Sequence, residues 1–253
     1  MEAFTATVSS YLKCFGPPTE GAPAPTLHYF ALCGRGECAR LICAAGELEF
    51  NDECFAPAFD ESGGFRAGYA EIGEKLGLPG SLPILEHGDL KLFQTAAIES
   101  YLASIAPKFK GLTPAMRAKD FMFAQVKEDI NAATGNMLFK KITAEELTPI
   151  AEKAFGVLES LLPDEGFVNA LAFPTVADLA VLVIAQGVMP FQAALKMAGW
   201  DWAATGKYPK IARVAEAAAA YAPVAAFLEA SEHGTLKADP FGIMAPPPEP
   251  KDE

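Results

Sequence analysis

Leu27-His28-Tyr29-Phe30-Ala31-Leu32-Cys33-Gly34-Arg35-Gly36-Glu37-Cys38-Ala39-Arg40 changes its periodicity halfway along. Leu27, Tyr29 and Ala31 alternate with His28, Phe30 and Leu32, and both sets are largely apolar, which predicts a strand covered on both faces. Gly34 and Gly36 end it. Over residues 37–45 the apolar Ala39, Leu41, Ile42 and Ala45 recur at helical spacing, and Gly46 stops the run at a plausible C-cap. Residues 48–55 read as a second strand. A helix between two such strands implies a parallel crossover, so the opening is βαβ.

Upstream, residues 16–25 are too rich in Pro and Gly for an element and read as a linker after a short extension. Downstream, residues 69–76 read as a short helix. Leu82-Pro83 opens a strand, since proline belongs at a first strand position or a cis turn. A hairpin through His87-Gly88-Asp89 and a helix over 96–105, ended by Pro107, complete βαβαββα. After a connector at 108–114 every sizeable segment reads as helical: 115–142, then 143–162 opened by the capping box Thr143 to Glu146, a third started by Thr175 to Asp178, then 208–220 and 222–230. The expected organisation is an extension (1–25), an α/β domain (26–107), a linker (108–114), an all-helical domain (115–238) and a loose tail (239–253).

Two domains suit 253 residues. Lys and Arg number 20 against 32 Asp and Glu, a formal charge of -12, which disfavours nucleic acid and anionic membranes as partners. The five cysteines, Cys14, Cys33, Cys38, Cys43 and Cys54, are odd in number and crowd into the first quarter, so they make no disulfide framework. No C-x-x-C pair occurs, and the steps of five from Cys33 to Cys43 spread helical members over different faces, which disfavours a metal. Reduced, mostly buried thiols are expected. No apolar run is long enough for a membrane span, and the first 25 residues carry only Lys13 as a cation and no signal-like apolar run. The cytoplasm is the expected compartment.

A thioredoxin-like βαβαββα half followed by a helical half resembles the cytosolic glutathione transferases over residues 26 to about 232, and among classes it looks most like sigma. The motif Leu27 to Arg40 matches the family's strand-end tyrosine, Gly-Arg-Gly-Glu turn and helix. Leu82-Pro83 with Gln94-Thr95 matches its pre-proline residue, cis-proline and Gln-Ser pair. On spacing alone, Tyr29 is an aromatic core residue and Gln94-Thr95 a plain helix start. The resemblance implies that Tyr29 is the catalytic tyrosine. A phenol with a reference pKa of about 10 is a neutral donor at pH 7, and its hydrogen bond to a thiolate favours the charged form. Arg35, at a helix entry, would add a cation beside it.

The resemblance further implies glutathione as co-substrate, with no metal. Leu82, freed by Pro83, would bond the cysteinyl main chain as a strand does. Gln94 and Thr95 would take the γ-glutamyl carboxylate. Tyr69 and Gly73 fall where the family has tryptophan and lysine; Gly73 offers no cation, so Lys75 either substitutes or is a surface lysine. Asp129 would reach across a homodimer to the substrate's α-amino group. Met116, Phe121, Gly135, Met137 and Phe139 are candidates to line the electrophile's side, or core. Cys33 replaces a common family arginine. The expected activity is transfer of glutathione to small apolar electrophiles. A glutathione-dependent isomerase, as among the prostaglandin D synthases, and a non-catalytic protein on the same scaffold, as among lens crystallins, are the alternatives.

Overall fold

The computed structural model describes residues 21, 23–56, 69–78, 82–231 and 234–244. Strand β1 (Thr26–Phe30), helix α1 (Glu37–Ala45) and strand β2 (Asn51–Phe55) form the crossover. β1 and β2 pair in parallel with Tyr29 opposite Cys54. Helix α2 (Tyr69–Leu76) precedes the hairpin of β3 (Ile84–His87) and β4 (Leu90–Phe93), and α3 (Thr95–Ile105) follows. The described strands form one sheet in the order β2-β1-β3-β4, with β3 antiparallel to both neighbours. This is the thioredoxin-like domain that the sequence predicts.

The second strand begins at Asn51 rather than at 48: Asn51 pairs with Thr26, the first residue of β1, whereas the Leu48 N–H turns back onto the Cys43 carbonyl at 2.9 Å. Leu48 and Phe50 pack against the core from irregular backbone instead. β1 likewise stops at Phe30, where Leu32 N–H turns back onto the Phe30 carbonyl at 2.8 Å.

The helical domain comprises α4 (Pro114–Leu138), α5 (Ala144–Leu161), α6 (Val176–Gln186), α7 (Ala193–Met197), α8 (Pro209–Ala220) and α9 (Ala222–Ala230). Thr113 caps α4, its hydroxyl accepting from Met116 N–H at 3.3 Å. α4 ends at 138, four residues before the apolar pattern does. There Lys140 takes φ 55°, and the N–H groups of Lys140 and Lys141 close onto the carbonyls of Met137 and Asn136. Both expected capping boxes are present, Thr143 with Glu146 and Thr175 with Asp178. From Val176 to Ala185 every residue of α6 is buried, so it forms the centre of the domain, and it packs on α4, α8 and α1. Among the described residues no single helix is long and apolar enough to cross a membrane.

Two expectations need correction. The connector 108–114 is not a bare linker: Phe109, in a 3-10 turn, is buried and stacks on Phe173 of the helical domain. The tail expected to be loose from 239 is packed as far as 244. Asp239 accepts from the N–H groups of Ile243 and Met244, and Phe241 and Ile243 sit against the cluster that contains Tyr29. Two apolar side chains among the prolines suffice to seat it. Residues 245–253 of the tail, and residues 1–20 and 22 of the N-terminal extension, lie outside the described residues.

Candidate active site

Topology brings three separated motifs to one end of the sheet. β1 runs toward that end and stops at Phe30; β3 starts there at Ile84, opposite His28; β4 finishes there at Phe93, opposite Ile84. Tyr29, the Leu82-Pro83 pair and Gln94-Thr95 therefore share that end of the sheet. The Leu82-Pro83 peptide is cis, and Leu82 packs against the Tyr29 cluster. Gln94 adopts φ 76° and ψ 117°, a conformation unfavourable for a side chain with a Cβ, and its amide makes no cap bond to α3. Thr95, the first residue of that helix, is buried.

Tyr29 is 7% exposed, and its hydroxyl oxygen accepts the backbone N–H of Arg35 at 2.9 Å. Accepting that bond leaves the phenolic hydrogen for another acceptor. Burial raises the phenol above its ordinary range, against the opposing pull of the Arg35 N–H and of the Arg35 and Arg40 charges. Tyr29 is thus a neutral donor throughout the neutral range.

The turn over the ring explains the two glycines. A Cβ on Gly34 would strike the Tyr29 hydroxyl and Leu32, and one on Gly36 would enter the ring itself. In the sequence these glycines mark the end of the strand and a turn; in the structure they also let the backbone lie on the phenol. Gly34 N–H in turn donates to the Met189 carbonyl at 2.7 Å. Met189, extended at φ -106° and ψ 125°, sits at the break that Gly187 and Pro190 make in the apolar period, ahead of helical backbone that runs on to Met197 and that the spacing does not show. Gly187 is equally required, since a Cβ there would meet Cys33 Sγ.

Arg35 extends from this turn to α4, its Nε donating to Glu128 Oε2 at 3.0 Å. The acid at Arg35 is therefore Glu128, and Asp129 lies exposed beside it. Below the turn, Arg40 is fully buried. It donates to the Phe30 and Leu32 carbonyls, each at 3.0 Å, to Glu37 at 3.1 Å and to Asp52 at 2.8 Å. Cys33, Cys38 and Cys43 are buried free thiols held protonated by burial, and Cys54 is half-buried with its thiol pushed up to about 11, chiefly by burial.

Of the remaining candidates, Lys75 is exposed in the last turn of α2 and Gly73 is buried. Tyr69 opens α2, and its side chain lies outside the described residues. Met116 packs against the main core, and Phe121 is exposed on α4 about 10 Å along the helix from Glu128. Met137 packs into the main core, and Phe139 is exposed. Among the described residues no group of His, Cys, Asp or Glu could hold a metal ion.

Residues 25–104 match the family described as Glutathione S-transferase, N-terminal domain. Solved structures of similar fold include a Caenorhabditis elegans nematode-specific GST at 24% identity and TM-score 0.61, covering 82% of this chain and 97% of that one. The glutathione S-transferase of Ascaris lumbricoides is 22% identical with TM-score 0.62, covering 87% and 100%. Rat hPGDS, solved with a quinoline, is 22% identical with TM-score 0.62, covering 82% and 96%. At these identities the likeness is one of fold, and it extends through both domains. No curated protein matches the sequence.

Proposed function

We propose that this chain is a cytoplasmic glutathione transferase, most like the sigma class, that ionises the thiol of bound glutathione and directs it at small, largely apolar electrophiles. One observation carries the reading: a buried, neutral tyrosine at the strand end whose oxygen is held by the Arg35 N–H while its hydrogen is left to donate. Lowering a thiol pKa by about two units requires roughly 2.7 kcal/mol, within reach of one charge-assisted bond aided by the Arg35 cation. The nucleophile belongs to glutathione; the protein supplies position and the donor.

Leu82 would pair with the cysteinyl main chain, and Gln94 and Thr95 would receive the γ-glutamyl carboxylate at the start of α3. The strained Gln94 backbone supports this, since such conformations concentrate at binding sites. Tyr69 and Lys75 would serve the glycyl end. Gln94→Ala is expected to raise the glutathione Kd about tenfold, the loss of one or two good hydrogen bonds, with the thiolate pKa of the glutathione still bound unchanged. Titration calorimetry and thiolate absorbance on one sample check both.

A homodimer fits the exposed Phe121 and Met122 on α4, apolar surface that a second copy would cover, and Asp129 lies exposed farther along the same helix. Light scattering at micromolar concentration should give twice 26.8 kDa; a monomer would remove the basis for a role of Asp129 in trans. Retention on immobilised glutathione followed by turnover of a chromogenic aryl halide tests the reading as a whole. Binding without turnover would favour a non-catalytic role or the glutathione-dependent isomerase, to which the likeness with rat hPGDS lends support.

A further inference from the structure

The charges at the junction of the two domains form a line. Arg35 Nε bonds Glu128 Oε2 at 3.0 Å, Glu128 Oε1 lies 3.2 Å from Lys127 Nζ, and Lys127 is bonded to Glu99. Two cations and two anions alternate. Arg35 stands on the turn over Tyr29, Glu99 on α3 of the first domain, and Lys127 and Glu128 on α4 of the second. The line opens at Arg35, 43% exposed, and ends at Lys127 and Glu99, which are buried.

A buried ammonium is costly in an apolar interface, and a pair like this is often replaceable by apolar residues without loss of stability. On α3 and α4 the apolar core residues Ile98, Phe123, Ala124 and Ile130 flank it, with buried Asn131 the polar neighbour one turn on. Burial pulls the Lys127 ammonium down, but the carboxylates of Glu99 and Glu128 facing it outweigh that and keep it charged. The thiols of Cys33 and Cys38, the other titratable groups near it, are held neutral by burial and leave the balance of charge unchanged. Helix packing alone gives no reason for this pair, whereas the site end of the line does.

We propose that the buried Glu99–Lys127 pair is a positioning device for Tyr29: Lys127 fixes Glu128, Glu128 fixes Arg35, and the Arg35 N–H fixes the phenol oxygen. The consequence for catalysis rests on the glutathione transferase reading, but the positioning itself exists in the free protein. Docking of the two domains and the setting of the donor are then one event, since the line closes only when α4 lies against α3 and the Gly34–Gly36 turn.

The test is the full chain carrying Lys127→Met and Glu99→Leu together, which replaces a neutral pair by apolar side chains of similar bulk. Amide hydrogen exchange in the free protein should show Arg35 protection falling about tenfold while Leu41 and Ile184 in the core keep theirs, a selectivity that a general loss of packing would not give. With glutathione added, the thiolate pKa should rise and turnover at pH 6.5 fall about three- to tenfold, with KM for glutathione within about twofold. If the pair variant does not fold, Glu99→Gln, which keeps the side-chain volume and only weakens the hold on Lys127, is read in the same way. Arg35 protection equal to that of the unaltered chain overturns the proposal. Absence of a thiolate signal in the unaltered chain overturns the transferase reading instead and leaves the exchange result to decide the positioning.

Discussion

Tyr29→Phe is expected to lower turnover by about 10- to 100-fold, the loss of one thiolate hydrogen bond worth roughly 1.5 to 3 kcal/mol. The ring stays, and with it the surface on which Gly34 and Gly36 lie, so the turn keeps its support. Bound glutathione should lose thiolate absorbance at neutral pH and titrate at a higher pKa. Its Kd should barely move, because Leu82, Gln94 and Thr95 would hold the peptide rather than the sulfur. The structure adds a consequence that the sequence could not give. Without the phenol oxygen, the Arg35 N–H loses its acceptor, so it becomes available to the thiolate as a weaker donor. The variant should therefore retain measurable activity above the uncatalysed rate, and Arg35→Ala in the Tyr29→Phe background, which keeps this N–H, should reduce it further only through loss of the Arg35 cation. Unchanged turnover and thiolate absorbance in Tyr29→Phe would mean that the thiol is ionised elsewhere.

Much of this was readable from local chemistry. The helix from Glu37 to Ala45 and the helix from Ala222 to Ala230 are framed in the sequence by a following Gly46 and a Pro223 in the first turn, signals that act within a few residues. The two capping boxes are legible for the same reason. What the sequence hides depends on contacts between distant segments. That β2 starts at Asn51 is decided by where β1 begins, not by the apolar character of residues 48–50. That Glu128 rather than Asp129 meets Arg35 depends on how far α4 is rotated against the first domain, and neighbouring acids on a helix look alike in a sequence. Lys127 is the clearest case: a lysine among polar neighbours reads as solvated, and only the docking of α3 against α4 shows it buried and paired.

Arg40→Met is expected to destabilise the fold by about 3 to 5 kcal/mol, the usual effect of removing one partner from a buried ion pair. The guanidinium is shielded from solvent and ties four parts of the first domain together. Nε reaches Asp52 on β2, Nη1 reaches the Leu32 carbonyl and Glu37, and Nη2 reaches the Phe30 carbonyl and, at 3.3 Å, Cys54 Sγ. Methionine fills similar space but leaves the Glu37 carboxylate, itself fully buried, without its cation and removes the Arg40 donor from the Phe30 and Leu32 carbonyls. At about 2 to 4 °C per kcal/mol for a chain of this size, the thermal midpoint should fall by roughly 6 to 20 °C, and urea unfolding should shift in parallel. Glu37→Gln should recover part of the loss in the Arg40→Met background, because it removes the stranded charge, whereas alone it should destabilise. The guanidinium also lies 5.7 Å from the Tyr29 ring centroid and holds both carbonyls that flank the strand end. Whatever folded Arg40→Met protein remains at low temperature should therefore bind glutathione with a raised thiolate pKa. A thermal midpoint within about 2 °C of the unaltered protein would show that the carbonyls and carboxylates find other partners or water, and that the strand end carrying Tyr29 is held by packing rather than by Arg40.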